Sequence, residues 1–418
     1  MATLQFPFAR EGTYNPPKEY EELRRQCPIS KVKLPDGDEA WLLTKHDDIC
    51  AVLGSDKLSA DRRAPGYPEI QAHARDALRN ARSTLVTLDD PDHARLRKVI
   101  EPEFASEAIE KLRLLVHGVV DRALDSIDRR HVQKKEPFDL IEEFAAPIPT
   151  QIICKIVGVP SPDVEWLAQD TSLSTDSSRE AAEDEDEKLL AYLGRLVDRR
   201  IEGKDVHGAN WVREGLITKL VREQHASGNL TRDEIVQLVY LVLTAGNAAL
   251  INSIGLAVLT LFENGEQWAA VRRNPLAFAP RLAAECLRYN AASALDCRRA
   301  ATGDLTLAGK TIKKGEGVIC AVQSADRDEG ATPRPEAFDL HRKYDPKDLL
   351  GFGYGVHRCL GEHLARMELE IALGTLFARF PGLRSAGDLG ILECTPARQN
   401  IGVLKLPVVV DTNVELPV

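Results

Sequence analysis

The decapeptide Phe-Gly-Tyr-Gly-Val-His-Arg-Cys-Leu-Gly, residues 352–361, stands directly before an amphipathic helical pattern at 362–377. It places Cys359 between a glycine-rich turn and a helix N-terminus, where unpaired backbone N–H groups and the helix dipole favour a thiolate. The glycines allow the backbone to turn sharply and to lie close under a flat ligand. We therefore predict that Cys359 is an anionic sulfur ligand of haem iron, although the cysteine spacing alone would also fit a buried thiol at a helix start.

The decapeptide resembles the haem-binding signature of the cytochrome P-450 family, and other parts of the chain carry the same resemblance. Glu285 and Arg288 stand three residues apart, so on a helix their charged groups share a face and can pair. In the family an arginine from the loop before the cysteine joins this pair, and Arg342 stands at that position. The resemblance implies a mainly α fold with small β-sheets, in which haem b lies between a long distal helix and the helix after the cysteine loop.

The propionates of haem need cationic partners, and the chain offers candidates. Asp90 and Pro91 fit a helix N-cap followed by a first-turn proline, after which His93 and Arg97 lie four residues apart on one face. Taken alone, the simpler interpretation of this pair is a solvated helix face. The family resemblance makes them propionate contacts, and it implies further cofactor contacts at Arg299, Phe352, His357 and Gly361.

Composition limits the class of protein. No Gly/Ser-rich or Pro-rich linker divides the 418 residues, so we expect a single domain, residues 1–418. A formal net charge of -10 argues against nonspecific nucleic-acid binding. The eight cysteines have no paired spacing, which is typical of reduced thiols in a cytoplasmic chain. The first residues already carry charges and prolines, so we expect neither a signal peptide nor a membrane anchor.

One long helix dominates the predicted secondary structure. Thr231 and Glu234 form a capping-box pattern, and apolar residues continue from Ile235 through Leu261 without a proline. Such a helix is roughly 40 Å long at about 1.5 Å per residue, and because it is apolar nearly all round we predict that it is buried. A membrane span is the rival interpretation, which two mid-helix asparagines disfavour. Strand and hairpin patterns lie at 41–44, 303–317, 315–322 and 401–410.

The middle of this helix bears on the reaction, since it reads Ala245-Gly246-Asn247-Ala248-Ala249. Most oxygen-activating members of the family have here an acid followed by a threonine, and alanine cannot relay protons as that pair does. The run resembles instead the soluble fungal nitric oxide reductases of the cytochrome P-450 family, and that resemblance extends essentially from end to end. It implies direct hydride transfer from NADH or NADPH and conversion of nitric oxide into nitrous oxide, with no redox partner.

Three residues outside the long helix bear on the same resemblance to the nitric oxide reductases. Arg62 stands where the subfamily has a cation for the dinucleotide phosphates, with Arg63 beside it. Ser293 stands where the subfamily's proton path begins. The carboxylate that follows this serine in the path is Asn400 here, and an amide cannot supply protons as an acid can. Since Ala249 also replaces a threonine that the subfamily retains, the sequence departs from the reductase pattern.

Three functions are therefore open at this point. The first is a nitric oxide reductase that uses NADH directly. The second is a monooxygenase or oxidase that tailors a small apolar organic substrate with external electrons or peroxide. The third is a haem protein that binds gas without catalysis. Each takes a small-molecule ligand, and the sequence leaves undecided whether a separate redox partner delivers electrons.

Overall fold

A computed structural model describes the fold over residues 4–10, 12, 14–70, 83–172, 179–204, 214–291, 297–343, 345, 349–395 and 400–413. The side chains of residues 165, 168–172 and 179–185 are outside this description. Ser293, which the sequence places on a proton path, lies outside the described residues.

Helices make up most of the described structure, as the sequence predicts. They are α1 (Glu19–Gln26), α2 (His46–Leu53), α3 (Asp92–Phe104), α4 (Ser106–Glu110), α5 (Arg113–Ile127), α6 (Pro147–Val157), α7 (Ser161–Ser172), α8 (Arg179–Ile201), α9 (Leu216–Lys219), α10 (Arg232–Ala245), α11 (Asn247–Glu263), α12 (Gly265–Arg273), α13 (Pro275–Asn290), α14 (Val322–Ala325) and α15 (Glu362–Arg379). Short π-helical turns occur at Asp128–Val132, Ile141–Ala145 and Leu220–His225.

Strands form small sheets at the edge of the helical body. They are β1 (Leu4–Gln5), β2 (Ile29–Lys33), β3 (Glu39–Leu43), β4 (Leu58–Ser59), β5 (Phe138–Asp139), β6 (Cys297–Ala301), β7 (Leu305–Leu307), β8 (Lys310–Ile312), β9 (Gly317–Cys320), β10 (Leu383–Ser385) and β11 (Pro407–Val410). The sheets run β1-β2-β3-β9-β6-β4, β10-β11-β5 and β7-β8. The predicted strands appear as β3, β9 and β11, and the predicted hairpin as β7 and β8.

The long distal helix is present, but it is broken once. The Thr231 hydroxyl accepts the Glu234 N–H, and the Glu234 carboxylate accepts the Thr231 N–H, so the capping box is confirmed. Helix α10 ends at Ala245 and α11 begins at Asn247, with Gly246 between them. The whole run is long and apolar enough to cross a membrane, yet 61% of its apolar 18-residue stretch is buried inside the protein. It is therefore a core helix, as predicted.

Packing around α11 positions the site. Helix α11 is almost entirely buried and packs against both α13 and α15, which also pack on each other. The start of α15 follows the cysteine loop directly. A cavity consequently lies between the distal helices and the loop that carries Cys359.

Candidate active site

The cysteine loop is held by its own backbone and by helix α2. A 3₁₀ turn at Gly355–His357 precedes Cys359, whose N–H donates to the Phe352 carbonyl at 2.8 Å. Gly355 has a φ of +71°, and a Cβ there would lie 2.4 Å from the Leu53 carbonyl oxygen. Glycine is thus required at this position because the backbone turns sharply and α2 lies against it, while the close approach of a flat ligand stays a prediction.

The Cys359 side chain is exposed to the cavity, and the pKa of its thiol lies above the ordinary cysteine value. Desolvation by the surrounding protein raises this pKa, and it outweighs the lowering by the Gly361 N–H and by the guanidinium groups of Arg97 and Arg358. Burial of the thiol therefore opposes the thiolate that the helix N-terminus favours. Iron bound at Cys359 would favour the thiolate, because a coordinated metal ion deprotonates a thiol.

The cavity that Cys359 lines has a volume of about 360 Å³ and a mainly apolar wall. Its wall combines the cysteine loop and α15 with the distal helices α10 and α11, and α3 contributes one edge. An apolar slot with a thiol in its wall suits a flat macrocycle. The predicted site residues that line it are His93, Arg97, Ala245, Gly246, Ala249, Phe352, His357, Cys359 and Gly361.

Basic side chains converge around His357 at this cavity. The His93 and His357 ring centroids are 4.2 Å apart, and Arg97 is held by donating to the Arg358 carbonyl at 2.7 Å. Burial lowers the pKa of His357 to about 3, and the nearby charges of Arg299, His93 and Arg97 add to that lowering. Two arginine guanidinium groups beside two imidazole rings suit a pair of carboxylates, so these residues, named here the cation cluster (His93, Arg97, Arg299 and His357), fit the propionates of haem b.

Asp90 anchors the helix that presents two of these contacts. Its carboxylate accepts the Ala94 N–H at 3.0 Å and lies 3.4 Å from His93 Nδ1. Helix α3 begins at Asp92, so Pro91 precedes the first turn instead of lying within it as predicted. The predicted N-cap, Asp90, therefore lies one residue before the observed N-cap, Pro91, and its carboxylate still accepts an N–H of the first turn.

A buried ion triad ties the segment before the cysteine loop to α13. The Glu285 carboxylate accepts from Arg288 Nη2 at 2.7 Å and from Arg342 Nε at 3.2 Å. Arg288 also donates to the Pro335 carbonyl and Arg342 to the Ala337 carbonyl, each at 2.8 Å. Glu285 and Arg288 are each only 1% exposed. The pairing predicted from the three-residue spacing is confirmed.

Asp326 is a second buried carboxylate near the loop, and the sequence did not indicate it as a site residue. Its Oδ1 atom accepts the Leu350 N–H at 3.0 Å, while Oδ2 has no hydrogen-bond partner among the described residues. Burial raises the pKa of Asp326 to about 7. The cysteine loop is thus anchored by a carboxyl group that titrates near neutral pH.

Asp326→Asn is expected to stabilise the protein increasingly as the pH rises from about 4 to about 7. Because the pKa of Asp326 is raised from 3.8 to about 7 on folding, the folded state keeps a proton that the unfolded state releases, and the free energy of unfolding falls across this window. The asparagine amide does not titrate, so the variant lacks this pH-dependent loss of stability. Its amide oxygen can still accept the Leu350 N–H. Melting temperatures of parent and variant from pH 4 to 8 check this, with exposed Asp56→Asn as control; a constant difference would contradict it.

On the distal side, the neighbouring residues of the helix middle that the sequence predicts as one site have different surroundings in the structure. Ala245, Gly246 and Ala249 line the cavity, and a Cβ at Gly246 would meet nothing within 4 Å. Asn247 is not part of the cavity wall, because its Oδ1 atom accepts from Thr150 Oγ1 on α6 at 3.0 Å. Asn247 links the distal helix to α6 beside the break, and its catalytic role stays a prediction.

Arg299 lies on β6 and is not among the residues that line the cavity, although its charge acts on His357. Two further predicted residues, Asn400 and Arg62, also lie away from the cavity wall. The Asn400 carbonyl accepts from Thr395 Oγ1 at 2.6 Å, and its buried Oδ1 atom has no partner within the described part of the chain. Arg62 is exposed in the turn after β4. Neither is among the residues that line the cavity. Their roles in proton supply and phosphate binding stay predictions.

Two polar residues of the cavity wall were not predicted. Ser253 lies one turn after Ala249 on α11, and Glu368 lies on the buried face of α15. Helical spacing could have indicated Ser253, because it follows Ala249 by four residues, whereas no pattern in the sequence indicates Glu368. Among the described residues, they supply the hydroxyl and the carboxyl group of the cavity wall.

Comparisons with known proteins agree with this site. Residues 208–383 match the family model described as cytochrome P450. The chain is 40% identical to cytochrome P450 55A3 of Fusarium lichenicola, over 97% of each protein. It is 34% identical to 20-oxo-5-O-mycaminosyltylactone 23-monooxygenase of Streptomyces fradiae, over 97% of this chain and 92% of that one.

A solved structure of similar fold is that of the mycinamicin VIII C21 methyl hydroxylase of Micromonospora griseorubida. It matches with a TM-score of 0.86 at 30% identity, and the match covers 97% of this chain and 100% of the other. These similarities span the cysteine loop, the cation cluster and the distal helices together. The chain therefore belongs to the cytochrome P450 family, and it is a haem-thiolate oxidoreductase.

Proposed function

We propose that this enzyme reduces nitric oxide to nitrous oxide with NADH as the direct electron donor. The net reaction consumes two molecules of nitric oxide, one NADH and one proton, and it yields nitrous oxide, NAD⁺ and water. Haem iron held through Cys359 supplies the site at which nitric oxide binds. The chain's own residues orient the haem, leave space on its distal side and supply the proton.

The observation that carries this proposal is the character of the distal wall. Ala245, Gly246 and Ala249 present neither a hydroxyl nor a carboxyl group to the cavity. An acid and a hydroxyl at these positions would assist cleavage of the O–O bond of oxygen, since a positioned acid or base contributes typically about 10²–10⁴-fold to such a step. Nitric oxide contains no such bond and its reduction consumes a single proton, so these three residues favour its reduction over oxygen activation.

A dinucleotide donor also needs a cation for its phosphates outside the cavity. Arg63 is committed to Asp61, with Nη2 and Oδ2 at 2.8 Å. Arg62 is exposed and takes part in no ion pair within the described structure. Its guanidinium group is consequently available to bind a phosphate in bidentate fashion.

Arg62→Ala is expected to raise the KM for NADH about tenfold, the equivalent of about 1.4 kcal/mol of lost binding, with a smaller change in kcat. The difference in KM for NADH between parent and variant should decrease as salt is added, because the contact between an exposed arginine and a phosphate is screened. Steady-state kinetics with varied NADH measure both quantities. Arg63→Ala is the matched control, since its charge is already paired; equal effects of the two substitutions would contradict a specific role for Arg62.

The proposed function itself is tested by incubating the purified holoenzyme with nitric oxide and NADH without oxygen and measuring nitrous oxide. Nitrous oxide should form in proportion to NADH consumed, without any added reductase or ferredoxin. Reactions lacking NADH or protein provide the background rate. If nitrous oxide does not exceed this background, the proposal fails.

Monooxygenation of a small apolar compound is the second candidate function. The apolar cavity wall favours it, and two of the similar proteins described above are named as a monooxygenase and a hydroxylase. A low-spin to high-spin change in the haem absorbance on adding an apolar compound, followed by its hydroxylation with a reductase or peroxide, would support this function. Since these relatives are named as enzymes, simple gas binding without catalysis is not supported.

A further inference from the structure

Cys27 lies beside the amino group of Lys310, although the two residues are 283 positions apart in the chain. Cys27 follows the last residue of α1, and Lys310 is the first residue of β8, in the hairpin of β7 and β8. Lys310 Nζ donates to Cys27 Sγ at 3.3 Å and also to the Ile29 carbonyl. The Cys27 thiol donates to the same carbonyl at 3.5 Å. One carbonyl group therefore holds the amine nitrogen and the sulfur in contact.

Ion pairing does not account for the position of the Lys310 amine. Lys31 on β2 pairs with Glu316, and Lys313 just after β8 pairs with Asp304. Lys310 takes part in no ion pair among the residues that the structure describes. A lysine at a protein surface usually extends its amine into water, whereas Lys310 is half-buried and directs its amine to a thiol. The contact thus joins two reactive groups, a primary amine and a sulfur nucleophile.

The surroundings of Cys27 suit oxidation of its sulfur. Cys27 is partly exposed, so a small oxidant can reach it. A hydrogen bond from a cationic amine stabilises the negative charge that develops on sulfur during its attack on a peroxide. The first product of such an attack is a sulfenic acid, which condenses with a neighbouring thiol or nitrogen. The nitrogen in contact with this sulfur is that of Lys310.

We propose that Cys27 and Lys310 form a covalent sulfur–nitrogen link when the protein meets hydrogen peroxide. In the first step Sγ attacks one peroxide oxygen and the O–O bond breaks, so that sulfur loses two electrons and a sulfenic acid and water form. In the second step the unprotonated Lys310 amine attacks Sγ, the S–O bond breaks, and hydroxide leaves as water with a proton of the amine. Two molecules of a thiol reductant restore the Cys27 thiol and the Lys310 amine and become a disulfide themselves.

The link would join two segments that are far apart in sequence. It fastens the β7–β8 hairpin to the connection between α1 and β2. A cross-link that closes so long a loop restricts the unfolded chain and thereby stabilises the folded one. Oxidation should therefore raise the melting temperature of the parent by several degrees, and a thiol reductant should reverse this rise. Lys310→Arg should show no such rise.

Peptide mass spectrometry of the holoenzyme tests the link directly. The protein is treated with hydrogen peroxide while imidazole occupies the haem iron, and it is then digested. A pair of peptides joined through Cys27 and Lys310, lighter by two hydrogen atoms than the separate peptides together, should appear and should be released by dithiothreitol. This readout does not depend on whether the enzyme reduces nitric oxide.

Variants identify the two partners. Lys310→Arg keeps the positive charge but replaces the amine by a guanidinium group that stays protonated, so the joined peptides should be absent. The sulfenic acid of Cys27 then persists, and dimedone should label it several-fold more than in the parent, while Cys27→Ser should show neither product. Lys313→Arg is the matched control, because Lys313 lies near β8 but pairs with Asp304, and it should cross-link as the parent does.

Three results would overturn the inference. The first is that peroxide leaves Cys27 reduced in the parent. The second is that Cys27 is oxidised but no peptide joined to Lys310 forms. The third is that dimedone labels the parent and Lys310→Arg equally, which would mean that the Lys310 amine does not capture the oxidised sulfur.

Discussion

Cys359→His removes the absorbance band of the thiolate-ligated carbonyl complex, and it removes catalytic activity with it. An imidazole nitrogen is a neutral ligand that does not push electron density onto iron as a thiolate does. The surrounding protein raises the pKa of the Cys359 thiol, and a coordinated metal ion would deprotonate it. The spectrum of the reduced carbonyl complex, recorded for parent and variant at equal haem content, checks this result.

Cys297→Ser is the control for that experiment, because Cys297 lines the same cavity but lies on β6. Its band and activity should match those of the parent. Persistence of the thiolate band in Cys359→His, or its loss in Cys297→Ser, would show that the ligand is assigned to the wrong cysteine.

Glu285→Ala is expected to lower the free energy of unfolding by about 3–5 kcal/mol, the cost of breaking a buried ion pair from one side. The substitution removes the Glu285 carboxylate that pairs with Arg288. Because Arg288 is only 1% exposed, its charge is then left uncompensated in the core. Arg342 loses the same partner, so the segment before the cysteine loop is released as well. Urea unfolding monitored by circular dichroism measures the loss, and haem content in the purified protein should fall in parallel.

Glu202→Ala provides the comparison for this large effect. The Glu202 and Lys204 side chains pair at 2.8 Å but are 51% and 72% exposed, and exposed pairs contribute about 0–1 kcal/mol. Glu285→Gln keeps the side-chain volume and one acceptor oxygen, so its loss should be smaller than that of alanine. A Glu285→Ala protein as stable as Glu202→Ala would mean that the triad does not hold this region together.

Local spacing was enough to predict several features of this site. The pairing of Glu285 with Arg288 follows from three-residue spacing on a helix, and the capping box at Thr231 from its motif. His93 and Arg97 line the cavity as their shared helical face suggests. In each of these cases the chemistry is set by residues close together in the chain, or by a family pattern that fixes where they meet.

Other features depend on packing between distant segments, which spacing does not report. Asn247 accepts a hydrogen bond from Thr150 on α6 beside the helix break at Gly246, and no pattern in the helix indicates that partner. The raised pKa of the Cys359 thiol depends on how much protein surrounds it. Glu368 looks in sequence like one more charged residue of an amphipathic helix, and only the packing of α11 on α15 encloses it.

The basic groups around His357 make haem a structural component of the protein as well as its reactive centre. These groups repel one another, and the lowered pKa of His357 means that acid favours the unfolded chain between about pH 6.5 and about pH 3. A ligand that binds only the folded chain stabilises it, and the stabilisation grows with affinity and concentration. Haem bound through its carboxylates is therefore expected to offset this repulsion and to slow the proteolysis of the folded chain.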